Sequence, residues 1–286
     1  MKRAPNYIRL ALDIRRGHWL VSDADALMPI ALDFFSKITP AVESVEFSPM
    51  MYSTNGVVAD AGGGGKASKQ KCVVVLPIHS TLTKYDTCAS YGTMSIASEL
   101  VRLASKDNVV GVVLDIDSGG GACNAIPPME AAIAKVKQMG KPIVAHCDTC
   151  ASAAYWIAAL CDAVFADNPM SEFGSIGVMS QIIDNRTTAS GAKVITVYAK
   201  ESEDKNLSYR KALDGDYELL QTELSPIVKR FQTAVKLNRP KLDADRKGVL
   251  TGGMFLADDA IECGLANAIL SLEESIENVF ARAGEY

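Results

Sequence analysis

A chain of 286 residues is long enough for one large α/β domain plus an appendage, with ample sequence for a buried core. Its net charge of −5 and hydrophobic content of 48% exclude nucleic acid as the main partner, because no basic excess is available to meet phosphates. No run approaches the roughly 18 apolar residues of a membrane span, and Asp13, Arg15 and Arg16 interrupt the N-terminal stretch before it reaches signal-peptide length. These features point to a cytoplasmic protein. The seven cysteines are odd in number and mostly set in apolar segments, as at Cys72, Cys161 and Cys263. They suit buried thiols in a reducing compartment better than a disulfide framework.

Residues 1–58 read as a separate helical arm. Ile8–Ile14 and Ala26–Phe35 are apolar at helical spacing, with Ser22-Asp23 as an N-cap. Such an arm docks either on its own domain or on a neighbouring subunit. Residues 59–71 contain four consecutive glycines and read as a flexible linker. A phosphate loop is excluded there, because the lysine and hydroxyl spacing is wrong and the segment precedes a strand rather than a helix.

The main domain is expected over 72–270. Cys72–Ile78 opens it as a strand, Thr93–Ala104 is a helix, and Val109–Asp117 is a β-branched run ending in Gly119-Gly120-Gly121. A helix over Glu130–Met139 stops at Gly140-Lys141-Pro142. The run after Pro142 is a second buried strand, a short helix spans Ala151–Leu160, and Ala163–Ala166 is a further strand. Lys193–Tyr198 reads as another strand, Ala199–Lys211 as a charged loop and Asp214–Leu237 as a long helix. A helix followed by Gly264-Leu265-Ala266 closes the domain, and 271–286 is a polar, peripheral helix. Alternating strands and helices imply α/β architecture with a mostly parallel sheet.

The chemistry gathers around Ser152. A hydroxyl at a strand-to-helix junction, beside a glycine-rich loop from a neighbouring strand, is the layout acyl transfer needs: a raised nucleophile with free N–H groups nearby. The same position also suits a helix N-cap serine, and the residues alone leave both readings open. None of the three histidines offers a comfortable base: His18 lies in the arm, His79 after the first strand, and His146 in the strand feeding Ser152. Cys147-Asp-Thr-Cys150 is a lone C-x-x-C without further ligands at zinc spacing, so no metal is expected. A dinucleotide fingerprint fails on spacing, because Asn124 stands where the third glycine belongs.

The order of the triglycine loop, Ala151-Ser152-Ala-Ala-Tyr155-Trp156-Ile157-Ala158 and Gly174-Ser175-Ile176-Gly177-Val178 resembles the signal peptide peptidase A (protease IV) serine peptidases, most of all their phage head-maturation (protease C-type) branch. The likeness runs from about Cys72 to Leu270. It implies the spiral ββα superfold of caseinolytic protease and the crotonases, and a Ser-Lys dyad with Ser152 as nucleophile. It further implies oxyanion donors among Gly120, Gly121 and Ala153, and a substrate cleft shaped by Gly174, Ser175, Ile176 and Gly177. An ungapped count from Tyr198 puts Glu203 at the family's lysine position. Lys205 lies two residues on and is the leading base, Lys200 is the second candidate, and a chain with no functional lysine is the third outcome. Where relatives carry Pro-Gly-Gly, this chain has Gly119, which loosens the loop. The resemblance also implies a homo-oligomer in which the lysine can come from an adjacent protomer, no cofactor, and a protein or peptide substrate, in a phage setting a capsid or scaffold protein. Two other functions stay in view: a catalytically silent assembly protein, and an acyl-CoA enzyme of crotonase type.

Overall fold

The computed structural model describes residues 47–54, 56–60, 70–86, 90–180 and 195–284. The two helices expected in the arm, His18 and the glycine run of the linker lie outside the described residues. The strands are β1 (Met50–Ser53), β2 (Gly56–Asp60), β3 (Cys72–His79), β4 (Val109–Ser118), β5 (Ile143–Ala151), β6 (Ala163–Ala166), β7 (Glu172–Gly174), β8 (Met254–Leu256) and β9 (Ala268–Ile269). The helices are α1 (Thr93–Ala104), α2 (Ile126–Gln138), α3 (Ala153–Ala159), α4 (Leu207–Leu213), α5 (Glu218–Asn238), α6 (Ala257–Glu262) and α7 (Leu272–Ala283).

The expected α/β class is what the chain adopts. β3, β4, β5, β6 and β9 lie side by side in that order, all parallel. The β1–β2 hairpin adds antiparallel to the β3 edge. At the other end of β5, β7 pairs parallel with its last residues, and β8 pairs antiparallel with β7. The unbroken apolar runs of β3 and β4 follow from burial on both faces. Val74, Leu76, Ile78, Val112, Leu114 and Ile116 face one core with α1, α2 and α3, while Val73, Val75, Val113, Val144 and Phe165 face a second with Ile276 and Val279 of α7. Each such aliphatic side chain contributes about 1.5–3 kcal/mol by leaving water.

Several expectations need correction. The helix at 271–286 is not peripheral: α7 packs on β3, β4 and β5, and its Ser271–Glu274 capping box fixes its start. The hairpin β1–β2 crosses the boundary expected between arm and linker, so the end of the arm belongs to the sheet. α2 begins at Ile126, four residues before the expected start, because Pro127 and Pro128 occupy its first turn, where a missing N–H costs nothing. The loop expected over Ala199–Lys211 contains a 3₁₀ turn at Lys200–Ser202 and most of α4, and the long helix starts only at Glu218. Residues 195–198, read as the end of a strand, carry no regular structure. A strand needs a partner, and Ile195 and Val197 stand 79% and 87% exposed.

Candidate active site

Ser152 stands between the end of β5 and the first turn of α3, with φ 53° and ψ −122°. Such a backbone is rarely adopted by an L-residue and costs on the order of 1–3 kcal/mol, so the surroundings must hold it. They do so through its own main chain: Ser152 N–H donates to Gly174 O at 2.9 Å, and its carbonyl accepts from Trp156 N–H at 3.0 Å. A bulge helps aim it. Ile116 pairs with Cys147 but Ser118 with Cys150, so β5 holds one extra residue. Cys147 and Cys150, three apart, therefore turn into the same core, and burial pushes the Cys147 thiol up from its ordinary pKa. At the junction itself, the Ser152 side chain makes no capping bond to α3. The N-cap reading fails on geometry, leaving a half-buried hydroxyl on a strained turn.

The triglycine loop meets this turn. Gly120 has φ +100°, and a Cβ placed there would lie 2.8 Å from Ser152 Cβ and 2.9 Å from Ala153 N. Ala153 opens α3, so its N–H has no intrahelical acceptor. The two glycines differ in what their amides can do. Gly120 N–H donates to Ser118 Oγ at 3.2 Å, and its carbonyl accepts from Leu82 N–H at 2.9 Å. Gly121 forms a parallel bridge with Leu82, whose own N–H and C=O take Gly120 O and Ala122 N–H. That pattern leaves the N–H of Gly121 facing away from Leu82.

Of the residues expected to shape the cleft, Gly174 is directly tied to Ser152. It has φ +127°, and a Cβ there would lie 2.2 Å from Gly253 O. Ser175 follows with φ 52° and donates its N–H to Gly253 O at 2.8 Å. β7 ends at Gly174, and Ser175, Ile176 and Gly177 are irregular. Ile176 is a fully buried core residue rather than a cleft wall.

An apolar cavity of about 280 Å³, not anticipated from the sequence, opens one helical turn past Ser152. It is lined by Cys123, Ile126, Trp156, Pro226 and Ile227, with Glu130 and Arg230 at 3.6 Å from each other beside it. Trp156 stacks on Phe231 of α5 with ring centroids 4.6 Å apart, and its buried Nε1 has no hydrogen-bond partner among the described residues. The signal was available, since Trp156 lies four residues after Ser152 and shares its helical face.

The basic residues are placed differently. Lys200 and Lys205 are both exposed, and neither amine bonds the Ser152 hydroxyl within the chain. The turn that carries Lys205 is nonetheless fixed: Arg210 donates to Glu203 O and lies over the Tyr198 ring at 4.6 Å. Glu203 is exposed as well. His146 points to the α7 face of β5, away from α3, and sits between two carboxylates. Its Nδ1 is 3.2 Å from Asp115 Oδ1 and its Nε2 3.2 Å from Asp167 Oδ1, the latter close but misaligned for a hydrogen bond. His79, the last residue of β3, takes the other Asp115 oxygen at 3.0 Å. Burial acts to raise the Asp115 pKa, but the two histidine hydrogen bonds outweigh it and hold the carboxyl below its usual range. Strand parity thus separates both histidines from Ser152, and among the described residues no Ser-His-Asp triad is formed. Among the described residues, no group of histidine, cysteine and carboxylate side chains could hold a metal ion.

A parallel-sheet domain with a strained serine at a strand-to-helix turn, the open Ala153 amide after it and a glycine loop against it has the layout of a serine acyl-transfer site. The profile of peptidase family S49 matches residues 135–284, slightly more than half of the chain, and the chain belongs to that family. It is 24% identical to Protease 4 of Salmonella typhi over 271 residues, covering 94% of this chain and 42% of that protein. A putative signal peptide peptidase SppA of Enterococcus faecium is 24% identical over 230 residues, 79% of this chain and 61% of the relative. The head-tail preconnector protein GP5 of Enterobacteria phage P21 is 26% identical over 257 residues, 82% of this chain and 49% of the phage protein. The chain therefore spans less than two thirds of each of these relatives.

Proposed function

We propose that the chain is a serine endopeptidase in which Ser152 is the nucleophile and Lys205 the base. The observation that carries this reading is the Ser152 backbone, strained at φ 53° with a hydroxyl that caps nothing. Ser152 Oγ attacks a peptide carbonyl carbon, and its proton passes to the neutral Nζ of Lys205. The N–H groups of Gly121 and Ala153 receive the oxyanion, each worth about 2.7–4 kcal/mol in the transition state. Lys205 then protonates the leaving amine, and water releases the acyl group by the same route in reverse. A lysine is a base near neutral pH only when desolvated. Since Lys205 is exposed on its own chain while its turn is held rigid by Arg210, the desolvating surface is supplied by a neighbouring protomer, and the active unit is a homo-oligomer. The apolar cavity at Trp156 suits an aliphatic substrate side chain, and the likeness to a phage head-tail protein supports capsid or scaffold proteins as substrates.

A fluorophosphonate probe and turnover of an unfolded protein test this side by side. Labelling at Ser152, abolished in Ser152→Ala, with turnover lost in Lys205→Ala but kept in Lys200→Ala, is the expected result. Full activity in Lys205→Ala rejects the base. A second reading, a catalytically silent assembly protein, is favoured by Glu203 at the ungapped lysine position and by the exposure of both lysines. It predicts no labelling of the wild type.

A further inference from the structure

The loop that faces Ser152 is three consecutive glycines, a sequence with little conformational preference of its own. Something else must hold it. Ser118, the last residue of β4, is fully buried and carries the one side-chain hydroxyl bonded into the loop among the described residues. Its Oγ donates to the carbonyl of Ser80 and accepts the N–H of Gly120 at 3.2 Å, using its single proton and one lone pair. Ser80 is itself bent to φ 74°, with its N–H on Asp117 O at 3.1 Å. The strap from Ser80 to Leu82 and the loop from Ser118 to Ala122 are thus stitched by backbone bonds at both ends and by this hydroxyl in the middle. Leu82 N–H holds Gly120 O, which turns the Gly121 N–H of the same peptide plane away from Leu82. With Gly120 N–H committed to Ser118, the Gly121 amide is the one the loop leaves open.

We propose that Ser118 is a positioning residue: its hydroxyl locks the triglycine loop so that Gly121, rather than Gly120, presents its N–H beside Ser152. The stiffness that proline would give at position 119 is here supplied from within the core. This role rests on the peptidase reading for its effect on turnover, but not for its effect on the loop.

The test therefore uses two readouts on the full chain, for wild type, Ser118→Ala and Ser118→Thr. Amide hydrogen exchange of the peptide spanning 118–124 should quicken about tenfold in Ser118→Ala, the loss expected for one hydrogen bond. With a reporter peptide, kcat should fall by at least about tenfold with KM within a factor of about two, since a misaligned donor is missed only in the transition state. Ser118→Thr, which keeps the hydroxyl, should recover both. Unchanged exchange in Ser118→Ala overturns the tether, and faster exchange with unchanged kcat overturns the positioning role. If the wild type neither labels at Ser152 nor turns over, the peptidase reading falls instead, while the exchange result still decides whether Ser118 holds the loop.

Discussion

Replacing Gly120 by alanine is the sharpest perturbation of the site, because one added methyl meets three fixed neighbours. Its carbon would lie 2.8 Å from Ala151 O, 2.8 Å from Ser152 Cβ and 2.9 Å from Ala153 N, and two of these atoms are backbone that cannot swing aside. The φ of +100° adds strain that an L-residue resists. Strain and overpacking each cost about 1–3 kcal/mol, so the loop will shift away from Ser152 rather than accept both. On the proposed mechanism, moving the loop withdraws the Gly121 amide, and loss of one oxyanion donor lowers kcat by about 10²–10³-fold. Gly140→Ala is the matched control: its φ is +69°, but none of the described residues lies within 4 Å of the added carbon. That variant should lose about 1 kcal/mol of stability and keep its turnover. Urea unfolding and peptide hydrolysis of both variants check this. If Gly120→Ala cuts at the wild-type rate while folded, the loop does not serve the serine.

Two further outcomes follow from packing and charge. Trp156→Ala empties a buried ring that stacks on Phe231. It should cost about 3–5 kcal/mol in chemical unfolding, and a loss under about 1 kcal/mol would show that α5 does not depend on that contact. Asp115 has its folded pKa depressed by His146 and His79 despite burial. A depressed acid stabilises the fold above its unfolded value of about 3.9 and loses that contribution as pH falls through the folded value. Wild-type unfolding midpoints should therefore fall steeply below about pH 4, and Asp115→Asn should flatten that limb. Parallel acid curves for the two proteins would contradict the assignment.

What the sequence disclosed were features decided locally. The limits of α1 and β6 agree with the residues that spelled them, and the strand–Ser152–helix junction was visible because small residues and breakers fall at the right places. The turn's hydroxyl had two local meanings, and only the backbone angles separated them. Long-range decisions were illegible. The β-branched alternation at Ile195 and Val197 spells a strand, yet among the described residues no neighbouring strand arrives to pair with them. α7 looked polar because only Ser275, Ile276 and Val279 are buried, and nothing nearby in sequence announces that they cover β3, β4 and β5. The lysine was unreadable for a related reason: a base is made by its surroundings, and local sequence does not spell what surrounds an exposed loop lysine such as Lys205.

The placement of α7 has a consequence for timing. Nearly the whole domain separates it from β3 along the polypeptide, yet the two are in contact in the finished fold. During synthesis the sheet emerges with one side bare, and contacts this distant in sequence form late. A growing chain on the ribosome thus exposes Ser152 long before the opposite side of its sheet is sheathed.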